Sequence, residues 1–262
     1  MFAEERKQKI VNLVNKNIKT SVAELCDYFS VSPATIRNDL RELEFAGLLK
    51  RTHGGAIKNK KTNYEPTSVQ KEVENIELKQ CIAEKAIGFV QEGDTIVLDT
   101  GTTMLEFAKR LAYIKNLTIV TYDIKIAYYL EENSDANVIL AGGVLRRNFH
   151  CTIGSETIGF FNNMNVDKAF LSANGVSVDK GVTTPNMEIA QIKRKIMSFA
   201  NEVVLLTDSS KIGKISFVKF ADLSEFDVIF SDSNIDSEYL EKIKDKIQDV
   251  QLCEIQNKNV SE

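Results

Sequence analysis

No apolar run in this chain approaches the ~20 residues that cross a bilayer; the longer ones, such as Val203-Val204-Leu205-Leu206, stop after four. The opening MFAEERKQKI has no apolar core of the kind that directs secretion. Cysteine is sparse: Cys26, Cys81, Cys151 and Cys253 stand far apart without a Cys-x-x-Cys pair, and His53 and His150 are the only histidines. That spacing predicts neither a metal site nor a disulfide framework, and it predicts a reduced, cytoplasmic setting. Gly-x4-Gly-Lys is missing too, which argues against a nucleoside triphosphate site. No short repeat and no low-complexity segment interrupts the chain.

What is present is the composition of a globular protein, 43% hydrophobic and 27% charged. A length of 262 residues suits two domains. The net charge of −4 conceals an asymmetry. Residues 1–61 hold twelve Lys and Arg against seven Asp and Glu, net +5, which leaves −9 for the remainder. A basic head on an acidic body is expected where only the head meets a polyanion.

The head is dominated by Thr20–Ala56. Residues 3–16 form a first helix, with Ile10, Val11, Leu13 and Val14 on its apolar side. Thr20 or Ser21 caps a second, which carries Val22, Leu25 and Phe29 inward. A turn at Ser30-Val31-Ser32 leads to a third, with Ser32 as N-cap and Pro33 at the first helical position, where its missing N–H does no harm. Ile36, Leu40, Leu43 and Gly47 then recur as one narrow buried stripe. The opposite face carries Ala34, Arg37, Asn38 and Arg41. Arginine can bond guanine bidentately and asparagine adenine, so this face suits a major groove. Beyond Gly47, the segment Leu48–Ala56 reads as two short extended pieces around Lys50, Arg51, His53 and a glycine pair. That is a wing beside a helix-turn-helix, with Lys50 and Arg51 set for phosphate. Ser32, Thr35 and His53 complete the expected double-stranded DNA contacts.

Lys58–Asn63 is polar and without periodicity, and reads as a linker. The expected boundaries are 1–58 for the DNA-binding domain, 59–68 for the linker and 69–262 for the larger domain. Tyr64–Val90 is mostly helical, with Ile76, Lys79, Ile82, Ala83, Ala86 and Val90 at helical spacing. From Gly93 onward, short apolar strands alternate with helices. Strands are expected at 95–98, 117–120, 138–140, 168–171, 203–206 and 228–230, and helices near 103–111, 124–131, 189–199 and 237–246. Such alternation predicts an α/β domain with a parallel sheet covered on both faces.

Ligands of open parallel sheets lie beyond the carboxyl ends of the strands. Four polar or glycine-rich segments follow strands. Asp99-Thr100-Gly101-Thr102-Thr103 combines a close-approach glycine with a helix start and two hydroxyls, a phosphate cradle. Thr121-Tyr122-Asp123 is the second. The third contains Gly142, Gly143, Arg146 and Arg147, where an arginine can pair with an anion. The fourth is Thr207-Asp208-Ser209-Ser210-Lys211. Gly154–Glu156, Asn174-Gly175 and Glu188 belong to the same edge.

Those residues carry a resemblance. VSPATIRNDLRELEFAGLLKRTHGGA resembles the signature of the DeoR family of bacterial transcription regulators. LDTGTT, TIVTYDIKIA, VILAGGVLRR, KAFLSANGV, MEIAQIKRKI and LLTDSSKIG are similar to that family's effector domain, in its order. The resemblance implies a repressor of a carbohydrate uptake or catabolism operon that leaves its operator when a phosphorylated sugar binds. It also implies a second domain similar to the sugar-phosphate-binding fold of ribose-5-phosphate isomerase. Carried over by position, it places phosphosugar contacts at Asp99, Gly101, Thr102, Thr103 and Lys211, with Asp208 and Glu188 near. The chain departs from the family at Asn38, where a second arginine is common, and at Tyr122-Asp123, where Asn-Ser is more usual.

An isomerase with a DNA-binding head is the rival reading, since Asp99, Asp123, Asp208, Glu188 and Lys211 include groups that can act as base or oxyanion partner. An activator, or a chromatin-type binder without a pocket, would use the same reader. A dedicated operator reader fused to a metabolite pocket is better explained as a switch, because turnover destroys the signal. The expectation is therefore no catalytic residue, no cofactor, no metal, no membrane contact, and a homo-oligomer, dimer or tetramer.

Overall fold

The computed structural model describes residues 2–45, 48–58, 65–247 and 249–255. Gly47, most of the expected linker and Tyr64 lie outside the described residues. The chain divides into two compact units, Met1–Pro66 and Thr67–Glu262.

In the first unit, helix α1 spans Ala3–Asn17 and strand β1 spans Lys19–Ser21. Ser21 and Glu24 form a reciprocal capping box: the Ser21 N–H donates to Glu24 Oε2 at 2.6 Å, and the Glu24 N–H donates to Ser21 Oγ at 3.2 Å. That box starts α2, Val22–Phe29, which Ser30 ends in a left-handed conformation. Helix α3, Pro33–Phe45, starts where Thr35 N–H donates to Ser32 Oγ at 3.2 Å. Ile36, Leu40 and Leu43 join Ile10, Val14, Leu25 and Phe29 in one core, each burial worth ~1.5–3 kcal/mol. Arg6 crosses from α1 to the buried Asp39 of α3, with Nε 2.6 Å from Oδ2.

Strands β2, Leu49–Thr52, and β3, Gly55–Lys58, form the wing, and β3 lies between β1 and β2 in an antiparallel sheet. Gly55 is required by proximity. A Cβ there would lie 2.1 Å from the Thr20 carbonyl oxygen, so a side chain would push β3 off β1.

The second unit opens with α4, Ser68–Val73, and α5, Ile76–Ala86. Then come β4 (Thr95–Leu98), α6 (Thr102–Leu111), β5 (Thr118–Thr121), α7 (Ile124–Asn133) and β6 (Asn137–Leu140). A hairpin of β7 (Val144–Arg146) and β8 (Cys151–Ile153) leads to α8 (Ser155–Phe160) and β9 (Val166–Ser172). After β10 (Gly175–Ser177) and β11 (Gly181–Thr184) follow α9 (Met187–Met197), β12 (Ala200–Leu206) and β13 (Val218–Ala221). Strand β14 (Val228–Asp232), helix α10 (Ser237–Lys244) and β15 (Asp249–Cys253) complete the unit.

Seven strands form one parallel sheet in the order β15-β14-β12-β9-β4-β5-β6. Alternate residues divide between its faces. Ile96, Leu98, Ile119, Phe170 and Leu206 pack with α5, α6 and α7. Val97, Val120, Leu171, Leu205 and Ile229 pack with α9 and α10. Both faces are therefore covered, as near-continuous apolar strands require. The small sheet β10-β11-β13, the β7–β8 hairpin and β15 are beyond what the sequence pattern foresaw, because segments such as Gly-Val-Ser, Gly-Val-Thr-Thr and Asp-Val-Gln-Leu-Cys lack the near-continuous apolar run that marks the buried parallel strands.

The cysteine expectation needs correction. Cys81 of α5 and Cys253 of β15 form a disulfide across 172 residues of sequence, with Cα atoms 5.9 Å apart. Spacing along the chain could not reveal it, since only the packing of α5 beneath β14 and β15 brings the two together. Cys26 and Cys151 are free thiols.

Candidate functional site

On α3 the side chains of Ala34, Arg37, Asn38 and Arg41 are exposed along one face, and the buried stripe occupies the other. Ser32 and Thr35 are committed to the helix start, their hydroxyl oxygens 2.9 Å apart. Asn38 Nδ2 donates to Glu42 Oε1 at 2.8 Å, and Glu42 also holds Lys7 at 2.5 Å. An adenine-reading role for Asn38 thus requires that bond to open. In the wing, Lys50 is exposed, and His53 stands exposed at the hairpin tip beside Gly54. Arg51 is paired within the head: its backbone N–H donates to Glu44 Oε1 at 2.8 Å, and its guanidinium lies 3.8 Å from Glu44. Part of its charge is neutralised before any phosphate arrives.

In the second unit, the strand order reverses between β4 and β9, and the loops after β4, β5, β9, β12 and β14 gather at the carboxyl edge. At the reversal lies Asp99, fully buried. Its Oδ2 accepts from the Ser172 N–H at 2.8 Å, from Ser172 Oγ at 2.7 Å and from Lys193 Nζ. Its Oδ1 accepts from the Tyr122 hydroxyl, whose acidity is suppressed by burial and by the Asp99 charge. Both Asp99 oxygens are occupied by protein donors, so Asp99 ties β4, β5, β9 and α9 together at the strand-order reversal. Lys193 was not anticipated. It sits four residues after Ile189 and three before Ile196, on the buried stripe of α9, and that spacing was the available signal.

Asp123 likewise serves the frame. Its Oδ2 accepts from Thr100 Oγ1 at 2.6 Å and from the Gly101 N–H at 3.2 Å, and its Oδ1 caps α7 at Lys125 and Ile126. Burial pushes its carboxyl above the ordinary range against those four donors. The Gly101 N–H is therefore already used, which leaves Thr102 and Thr103 of the expected cradle at the start of α6. Gly101 itself, at φ 118°, precedes the helix in a backbone conformation that favours glycine. Neighbouring Cys151 is buried, which pushes its thiol up to about 12.

After β12, the buried Asp208 accepts from Asn75 Nδ2 at 3.2 Å and the Ser210 N–H at 3.0 Å, with Lys211 Nζ 3.8 Å away. Burial opposes its charge, but Lys211, Ser210 and Lys79 together hold it below the usual carboxylate range. Lys211 is partly exposed, and it presents the edge with an accessible cation. Lys79, 4% exposed, donates to the Lys71 and Glu74 carbonyls. Burial and the Lys211 charge push its ammonium down to about 8. Asn75 and Lys79 were missed as site residues because they precede the first strand of the sheet. Two buried hydroxyls near this edge, Thr207 and Ser231, have no partner among the described residues.

The third segment is more peripheral. Gly142 and Gly143 are exposed, and the Gly142 carbonyl accepts from Thr157 Oγ1 at 2.9 Å. Arg146 stacks over the Phe149 ring at 3.8 Å. Glu188 lies half-buried in the first turn of α9. No group of three or more metal-ligating side chains occurs among the described residues, and no helix there is long and apolar enough to cross a membrane.

Comparison with known proteins agrees with this two-part architecture. A DeoR-like helix-turn-helix domain model matches residues 6–62, and a DeoR C-terminal sensor domain model matches residues 74–233. The HTH-type transcriptional regulator GlpR of Haloferax volcanii is 40% identical, covering 93% of this chain and 95% of that protein. The HTH-type transcriptional regulator GolR of Listeria innocua is 34% identical, covering 97% and 100%. Among solved structures, ribose 5-phosphate isomerase A of Methanocaldococcus jannaschii aligns over 53% of this chain and 55% of its own, with 20% identity and a TM-score of 0.39. A likeness of that size assigns neither ligand nor activity. The exposed face of α3, the wing beside it and the two matched domains have one account: this chain belongs to the DeoR family of helix-turn-helix transcriptional regulators.

Proposed function

We propose that the chain represses a carbohydrate uptake or catabolism operon and leaves its operator when a phosphorylated sugar binds at the carboxyl edge of the parallel sheet. The supporting observation is the turn Gly101-Thr102-Thr103 at the strand-order reversal, where α6 begins. The first-turn N–H groups of a helix have no acceptor within it and favour an anion. Lys211, on a loop at the same edge, supplies a partly exposed positive charge. The α3 face, with Arg37, Asn38 and Arg41, reads operator bases, and Lys50 and Arg51 on the wing contact phosphate.

Repression and release, rather than turnover, fit the carboxylates. Asp99, Asp123 and Asp208 each accept several hydrogen bonds from the protein. A general base must instead be free to take a substrate proton. Two copies on one operator make release effective, because loss of bivalent engagement alone weakens binding by ~10²–10⁴. A cytoplasmic location follows from this role.

The test is an operator-shift assay against a panel of phosphorylated hexoses and pentoses with their unphosphorylated counterparts. A phosphorylated member should release the operator where its free sugar does not. Operator binding indifferent to every phosphosugar overturns the effector assignment, and isomerisation of any panel member overturns the assignment as a switch.

A further inference from the structure

The space over the first turn of α6 is almost filled. Ser68, Glu72, Gly101, Thr102, Asp123 and Lys125 help enclose a crevice of about 10 Å³, room for about one water. A phosphoryl group does not fit. Beside it, between α4, α6 and α7, is a larger cleft of about 350 Å³. Glu72, Thr102, Leu105 and Lys125 line both spaces, so the Glu72–Lys125 ion pair, at 2.6 Å, stands as the partition between them.

Glu72 sits in α4, a six-residue helix fastened at both ends. At its start, Thr67 and Gln70 form a capping box, and the Ser68 N–H donates to the Asn148 carbonyl at 3.0 Å. At its end, Asn75 donates to Asp208 at 3.2 Å and to Ser210 Oγ at 3.1 Å. The Lys79 ammonium bonds the Lys71 and Glu74 carbonyls from beneath. The helix therefore forms a strap from the β7–β8 turn to the loop after β12. Its one carboxylate, Glu72, lines the crevice over the start of α6.

We propose that Glu72 is a built-in competitor for the anion site: a phosphorylated ligand reaches the start of α6 by displacing Glu72 from Lys125 and lifting α4. The inference rests on the reading that the Gly101–Thr103 turn receives the phosphoryl group. The ion pair is suited to the task because it is half-exposed, at 41% for Lys125 and 31% for Glu72, and pairs of that kind are weak clasps. Lys125 changes partner from one anion to another, so no buried charge is stranded. Since α4 is the first helix after Pro66, the displaced strap is also the stretch of chain nearest in sequence to the DNA-reading unit.

The test uses the full chain, with inorganic phosphate and the hexose and pentose phosphates as probes in titration calorimetry. Glu72→Gln keeps the shape and removes the charge, which relieves both the clasp and its repulsion of the ligand. It should bind the effective probe about tenfold more tightly than the unsubstituted protein. Hydrogen exchange gives a second readout: residues 68–74 should exchange faster with ligand bound, and faster in Glu72→Gln without ligand. Equal affinities for the two proteins overturn the competitor role, as does ligand binding that slows exchange at 68–74, which would mean the strap closes over its ligand. If operator release by a phosphosugar persists while Glu72→Gln changes neither readout, this inference fails and the effector assignment stands. If no phosphate ester binds either protein, both fail.

Discussion

At the scale of the residue, the two units use charge in opposite ways. On α3, Arg37 is exposed and free of the Asn38–Glu42–Lys7 chain beside it. Arg37→Ala should remove discrimination at particular operator bases, about 1–3 kcal/mol at each position it reads. Competition binding with single-base operator variants measures this, and equal loss on random DNA would reduce Arg37 to a phosphate contact. In the second unit several charges are buried, among them Asp99, Lys193, Asp208 and Lys79. Lys79 has its ammonium at about 8, against 10.5 for the free side chain. Between those values the unfolded chain holds a proton that the folded chain has released, so this lysine's contribution makes stability rise with pH from about 8 to about 10.5, by up to roughly 3 kcal/mol. Lys79→Met should remove that rise, which denaturant unfolding at pH 7.5 and pH 10 of both proteins would detect. Spacing correctly put Lys79 on the inner side of its helix, but not its task there. Periodicity reports burial; it does not say whether a buried lysine meets carbonyls of the preceding turns, as Lys79 does, or a carboxylate from a distant strand end, as Lys193 does.

At the scale of the element, the head was the more legible part. The Ser21 and Ser32 helix starts, the Ile36–Leu40–Leu43 stripe and the two wing strands are all local features, set within a few residues of one another. What local reading missed is that β1 exists and that β3 lies against it. Gly55 follows from that pairing. Gly55→Ala forces a Cβ against the Thr20 carbonyl, and should lower head stability and weaken binding to all DNA alike, because the whole wing is displaced and no single base is singled out. Thermal unfolding together with binding to random DNA checks this. In the larger unit, the β4, β5, β9, β12 and β14 segments were legible because buried parallel strands are continuously apolar. The loops after them were legible as an edge, not as individual roles. Asp99 and Asp123 have the composition of ligand contacts, yet their oxygens are consumed by Lys193, Ser172, Tyr122, Thr100 and Gly101. Asn75 and Glu72 reach the same edge from helices that precede the sheet, and no strand-end rule points to them.

At the scale of the whole molecule, a switch obeys reciprocity. Whatever factor the effector takes from operator affinity, operator must take from effector affinity. Effector titrations with saturating operator and without it should differ by the factor that operator titrations show with and without effector; equal effector affinities would sever the proposed link. The salt dependence belongs to the head, whose net charge of +5 releases counterions from DNA. The disulfide between Cys81 and Cys253 bears on a different property, the response to force. With it closed, tension entering near the last strand passes at Cys253 directly into α5, and the 172-residue separation stays out of the load path. About 600 Å of contour is thereby locked away from extension. A pull between the two ends stretches only what lies outside the bridge until a reductant opens it, so thiol concentration sets how far the molecule can be drawn out.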